Sequence, residues 1–179
     1  MRNLKNLNIE KSIVKNKLVY SESWSDIFDT ILLFILFSFL FICPFLVYFD
    51  PYRDYSKTGA EYYLLFFISL FSAYAIYRKA TEKHLTKIIS KYDAERNRAI
   101  INEYCNKSGC KRATNSKELI IYNKYPDALV FNSVYLSSRI FILDKNNIYM
   151  TVIKKGRRTN FPVLFSQLFL KMDIKNLCS

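Results

Sequence analysis

The chain has 179 residues, with 27 Lys or Arg against 15 Asp or Glu, a net charge of +12, and 51% hydrophobic residues. A single histidine and four cysteines exclude a histidine-rich metal centre, and three glycines with four prolines leave little flexible spacer. The positive balance suits an anionic lipid surface more economically than nucleic acid.

Residues 1–26 carry Arg2, Lys5, Lys11, Lys15 and Lys17. The first uncharged apolar run follows, Thr30–Phe49, TILLFILFSFLFICPFLVYF. A helix needs roughly 20 apolar residues to cross the hydrocarbon core, and this run has that length. It is apolar all round, which leaves no polar face for water. It is also longer than the core of a signal peptide, and no small-x-small site closes it, so it is read as retained. Pro44 removes a helical hydrogen bond from the Leu40 carbonyl and bends the outer end.

Residues 50–61 are polar. A second uncharged run, Tyr62–Tyr77, then reads YYLLFFISLFSAYAIY. It is shorter, but Glu61, Arg78 and Lys79 can extend outward from its ends. Trp24, Tyr48, Tyr52, Tyr55, Tyr62, Tyr63, Tyr74 and Tyr77 gather at or just beyond the ends of the two runs, where amphipathic rings prefer the headgroup layer. No charge lies inside either run, which argues against a two-helix pump or transporter. Ser69, Ser72 and Ala73 form a small-residue patch suited to helix packing within the pair or to self-association. Asp29 and the cations Arg78 and Lys79 stand at matching inner ends and are expected to pair across the interface.

Eleven Lys or Arg lie between Arg78 and Lys117, against two in the short loop. Positive flanks stay inside. Both termini are therefore expected in the cytoplasm, with the protein in the plasma (inner) membrane as a two-pass chain.

Beyond Ala80 the spacing of Leu85, Ile88, Ile89 and Tyr92 predicts a helix over about 82–91. Ala99, Ile100 and Tyr104 predict another over about 94–106, capped by Asp93 and stopped by Ser108-Gly109, the alternative being one long helix continuous with the second run. Residues 111–117 read as a loop. Leu119–Tyr122, Ala128–Phe131, Arg139–Leu143, Ile148–Ile153 and Asn160–Leu164 read as strands. Asp144-Lys-Asn-Asn147 joins two of them as a tight hairpin. Phe165, Leu168, Phe169 and Met172 fit a closing helix.

The predicted fold is thus a membrane α-helical hairpin followed by a small cytoplasmic α+β domain with a four- or five-stranded antiparallel sheet. Its parts are a cytoplasmic segment 1–26, a hairpin 27–79, a juxtamembrane helical segment 80–107 and a sheet domain 108–179. The spans cover about 29–49 and 61–78 around an outside loop at 50–60. This order of elements, from about residue 30 to 175, is similar to that of bacterial membrane proteins carrying a pleckstrin-homology-like domain. The helical segment at 80–106 departs from it, and no motif carries residues across.

No phosphate-binding loop, nucleophile elbow or carboxylate pair stands out. Cys105 and Cys110 make half a zinc site at most, so no metal, cofactor or catalytic residue is expected. Lys154, Lys155, Arg157 and Arg158 crowd one turn around Gly156, where they suit anionic headgroups or phosphates, or a solvated hairpin tip. Lys111, Arg112 and Lys117 form a second basic cluster. The expectation is a membrane-anchored binding or scaffolding module rather than an enzyme, with anionic inner-leaflet lipids and a protein partner or second copy as its contacts. The alternative is an oligomerising effector, a defence or immunity protein acting in the bilayer.

Overall fold

A computed structural model describes residues 4, 6–52, 59, 61–124, 136–155 and 160–178. Its elements are α1 (Ile9–Val14), α2 (Trp24–Tyr48), α3 (Glu61–Thr81), β1 (Thr86–Ile89), α4 (Ala94–Lys107), β2 (Lys111–Asn115), β3 (Leu119–Lys124), β4 (Leu136–Asp144), β5 (Asn147–Lys155) and α5 (Ser166–Cys178). They divide into two compact units, residues 23–80 and residues 1–22 with 81–179.

The first unit is the pair α2 and α3. α2 starts at Trp24, earlier than the apolar run implies, because Ser23 caps it: its Oγ accepts the Asp26 N–H at 3.2 Å. The helix runs through Pro44 for 25 residues. Its outward residues, among them Ile35, Phe39 and Leu46, are exposed, and only 17% of its most apolar stretch is buried. A core helix of a soluble protein would be mostly covered. α2 is long and apolar enough to cross a membrane, alone among the described helices. α3 has the length but not the apolarity, since Glu61, Arg78 and Lys79 lie within the helix and confine its uncharged run to 62–77, which four tyrosines and two serines dilute further. The second span therefore does not follow from length and apolarity alone. Ser69 Oγ donates to the Phe41 carbonyl at 3.0 Å, and the Tyr48 and Tyr62 rings meet edge-on.

The second unit is an antiparallel five-stranded sheet in the order β1-β5-β4-β3-β2. The hairpin of β4 and β5 is its centre, closed by Lys145 at φ 51. Alternation along these strands makes two apolar faces. Ile120, Tyr122, Phe141, Leu143, Ile148, Met150 and Val152 point to one face, which α4 and α5 cover with Ile101, Cys105, Leu170 and Ile174. Ile140, Ile142, Tyr149 and Ile153 point to the other.

The amino-terminal segment covers that second face. Leu18 is buried there, with Leu4, Leu7, Ile9, Ile13 and Tyr20 packed around it. Its backbone runs beside the stretch that follows α3. Leu18 N–H donates to the Lys83 carbonyl at 2.9 Å, and Leu85 N–H to the Asn16 carbonyl at 3.0 Å. Lys83 and Glu22 pair beside this ladder. Residues 1–22 are thus a layer of the sheet unit, and the 23–80 pair is an insertion within it.

Four expectations are corrected. The helix over 82–91 is absent, because Thr86–Ile89 pairs with β5 as an edge strand. Leu85 and Ile88 are both buried but face opposite sides of the sheet, and short apolar runs fit either period. Residues 111–117 are not all loop: Lys111–Asn115 is a polar edge strand on β3, with its register broken between Arg112 and Thr114. Cations on an edge strand deter further pairing, which hides such strands from an apolar pattern. Asn160–Leu164 is no strand, although Val163 is buried in the helix-covered core. The buried lines of α4 and α5 are also shifted. They are Asn97, Ile101 and Cys105 in α4, where the expected Ile100 and Tyr104 still pack half-buried against the same core, and Gln167, Leu170, Ile174 and Cys178 in α5. The expected strand Ala128–Phe131 lies outside the described residues.

Candidate functional site

Three of the polar side chains buried in the sheet unit, Ser90, Asn97 and Gln167, hold β1 and the residues just after it, a strand too short and too peripheral to hold itself. Asn97 Nδ2 donates to the Tyr92 carbonyl at 3.0 Å, and Ser90 Oγ donates to Asn97 Oδ1 at 2.6 Å. Lys91 N–H reaches the Cys178 carbonyl at 3.1 Å. From α5, Gln167 Nε2 donates to Thr86 Oγ1 at 3.2 Å and lies 3.4 Å from the His84 carbonyl. His84 is therefore engaged through its backbone, in a bridge with Lys17 and in this amide contact.

One polar cluster lies under α4 and α5 and is not explained by β1. Arg139 projects from β4 to the helix-covered face. Its guanidinium carbon sits 5.5 Å from the Tyr104 ring centroid, a cation–π distance. Arg139 Nη1 is buried without a hydrogen-bond partner among the described residues. Tyr104 Oη donates to Asp173 Oδ2 at 2.6 Å, and Tyr122 Oη donates to Asn102 Oδ1 at 3.0 Å. Burial, and secondarily the Asp173 carboxylate, push the Tyr104 hydroxyl up to about 12.

Cys105 and Cys110 meet beside this cluster because of how α4 ends. Gly109 adopts φ +67. Cys110 N–H donates to the Cys105 carbonyl at 3.0 Å, and Gly109 N–H to the Asn106 carbonyl at 3.0 Å. These two bonds define a Schellman motif, in which the residues five apart touch as an apolar pair. The spacing of the two cysteines is thus helix termination, and both are free and buried. Burial, and then the adjacent Cys110 thiol, push the Cys105 thiol up to about 12, outweighing Arg139. A thiol held so firmly protonated is a poor nucleophile and a poor metal ligand. Among the described residues no group of three His, Cys, Asp or Glu is placed to hold a metal.

The basic turn is placed only in part. Lys154 is half-buried on β5 and Lys155 ends that strand, whereas Arg157 and Arg158 lie outside the described residues. Lys111, Arg112 and Lys117 are exposed along the β2 side. In the helical pair, Ser69 and Ser72 are buried, and Ser72 Oγ donates back to the Ile68 carbonyl at 2.8 Å. Ala73 is half-buried. Asp29 lies in the early turns of α2, and Arg78 and Lys79 in the last turn of α3; none of the three lacks an interaction. An apolar groove of about 470 Å³ runs between the late part of α2 and the early part of α3, lined by Pro44, Phe45, Tyr48, Tyr62, Phe66 and Ser69 among others. It has no converging charged groups of the kind that fix a polar substrate.

The exposed face of α5 was missed by pattern. Phe165, Leu168, Phe169 and Met172, expected to close the core, all point outward. The signal that could have revealed this is the alternative line Gln167, Leu170 and Ile174 at the same helical spacing. It was masked by its opening amide, as Asn97 masked the buried line of α4.

No known protein family, curated protein or solved structure matches this chain.

Proposed function

We propose that this chain is a two-pass protein of the inner membrane that presents a basic sheet domain to the cytoplasm as a membrane-anchored binding or scaffolding module. One observation carries the reading: residues 1–22 and 81–179 build one folded unit on either side of the 23–80 insertion. A segment whose two ends enter one water-soluble core must leave and return on the same side of a bilayer. With α2 as one crossing, α3 is the return, and 50–60 is the outer loop. The same observation opposes a cleaved signal sequence, because Leu18 and its neighbours form part of the mature core. Cations concentrated on both flanks support an inside location for that core.

In this arrangement Asp29 meets Arg78 and Lys79 at the inner ends, and Ser69 packs the pair through the Phe41 carbonyl. The role is binding rather than catalysis. The buried thiol of Cys105 is held protonated, and the buried amides of α4 and α5 are occupied by β1 and by Ser90 and Tyr92 after it.

The test is cysteine accessibility in intact cells with a membrane-impermeant maleimide. Ser56→Cys in the loop is expected to label from outside. Lys145→Cys, in the exposed β4–β5 turn, is expected to label only after permeabilisation. Labelling of position 145 in intact cells, or protection of position 56, overturns the reading.

A further inference from the structure

The outer face of α5 is an apolar stripe on the water-facing surface of the sheet unit. Phe165, Leu168, Phe169 and Met172 are 52%, 54%, 60% and 54% exposed. Offsets of three, four and seven put them on one side of the helix. The opposite side, Leu170 and Ile174, is buried in the core, so no rotation of α5 can hide the stripe. Exposed Lys171 and Lys175 run along one flank. On the other flank Asp173 accepts the Tyr104 hydroxyl at 2.6 Å, which ties the helix to α4 and fixes the direction in which the stripe points.

Phenylalanine and leucine on one face, with lysine alongside, is the composition of a helix that lies in the headgroup layer of a bilayer. Two further facts select lipid as the occupant. The cations on the flank, in a chain of net charge +12, complement an anionic leaflet. The sheet unit is also joined to the bilayer-compatible helices without a spacer, since α2 begins at Trp24 and α3 ends at Thr81.

We propose that α5 docks its Phe165–Met172 face into the anionic inner leaflet of the membrane that holds the chain. This rests on the anchored reading above and adds a second, interfacial attachment to it. The sheet domain is then held with one defined side against lipid, and its edge strands β1 and β2 are left to meet a partner.

The full chain is reconstituted with p-benzoylphenylalanine in place of Phe169, in vesicles of phosphatidylcholine with phosphatidylglycerol or of phosphatidylcholine alone. A second preparation carries the probe in place of Phe39, on the exposed face of α2. After irradiation, mass spectrometry reads the adducts. The expected result is a lipid adduct at both positions in anionic vesicles. The adduct at 169 alone should drop several-fold in neutral vesicles and in the exposed-site variant Lys171→Glu/Lys175→Glu. No lipid adduct at 169, or an adduct to a second copy or another protein, overturns the proposal while the Phe39 adduct leaves the anchor standing. Absence of lipid at both positions overturns the anchored reading and this proposal with it.

Discussion

Replacing Leu18 by alanine tests whether the amino-terminal segment belongs to the core. Leu18 is 3% exposed and sits among Ile140, Ile142, Tyr149 and Ile153 on the second face of the sheet. Its backbone bond to Lys83 survives the substitution, so the change reports on packing alone. Three buried carbons are lost, which at about 0.8 kcal/mol each removes about 2.4 kcal/mol of transfer free energy. The cavity left behind adds to this, within the range of about 2–5 kcal/mol known for buried leucines. The folding equilibrium should shift about 50-fold or more. Pulse proteolysis of the full chain in detergent micelles across a urea series reads this as a midpoint lowered by about 1 M, given slopes of about 1–3 kcal/mol per M. Val14→Ala, at a site 85% exposed on α1, is the matched control and should stay within about 0.5 kcal/mol of the parent. If Leu18→Ala unfolds with the control, residues 1–22 are not a layer of the sheet unit. The case for a same-side return of the 23–80 segment would fall with it.

Three further outcomes are expected. Asn97→Ala should lower the unfolding free energy read from the same urea series by about 1–3 kcal/mol, because it leaves the Tyr92 carbonyl and the Ser90 hydroxyl short of partners. Gly109→Ala should cost about 1–2 kcal/mol through backbone strain at φ +67 alone, since nothing lies within 4 Å of an added Cβ; a cavity-type loss beyond that range would contradict the helix-stop reading. Alkaline pH should destabilise the sheet unit. Tyr104 and Cys105 keep their protons to about 12 in the folded chain, whereas an unfolded chain releases them near 10 and 9. The stability they contribute is complete below those unfolded values and is lost as pH rises toward 12. Tyr104→Phe should flatten part of that fall in a pH series of urea midpoints, and an unchanged slope would refute the assignment.

The parts legible in the sequence are those whose environment is uniform along the element. α2 is apolar on every side, so lipid-like surroundings can be read from composition without knowing any neighbour. The hairpin of β4 and β5 is likewise local: dense β-branched and aromatic runs flank the Asp144–Asn147 turn, and the register follows from the turn. The Asp93 cap and the Ser108-Gly109 stop of α4 depend only on adjacent backbone, and both occur as the residue types imply.

Tertiary structure decided what depended on distant partners. β1 has four residues and becomes a strand because β5, more than fifty residues later, offers it an edge. The polar residues of β2 do the same on β3. α4 and α5 each carry two plausible faces, and the choice between them turned on Asn97 and Gln167. Their amides are inward because β1 and the residues just after it have backbone and hydroxyl groups there to satisfy. The amino terminus read as a basic cytoplasmic segment with no fold assigned, since its Leu and Ile residues are scattered at no single period. It took the bare second face of the sheet to give Leu18 a place to be buried. Local chemistry thus marked the apolar helix, the tight hairpin and the helix caps, and long-range pairing decided the edge strands and which surface of α4 and α5 turned inward. The free energy of burying a side chain depends on the element that meets it, and that element can lie anywhere in the chain.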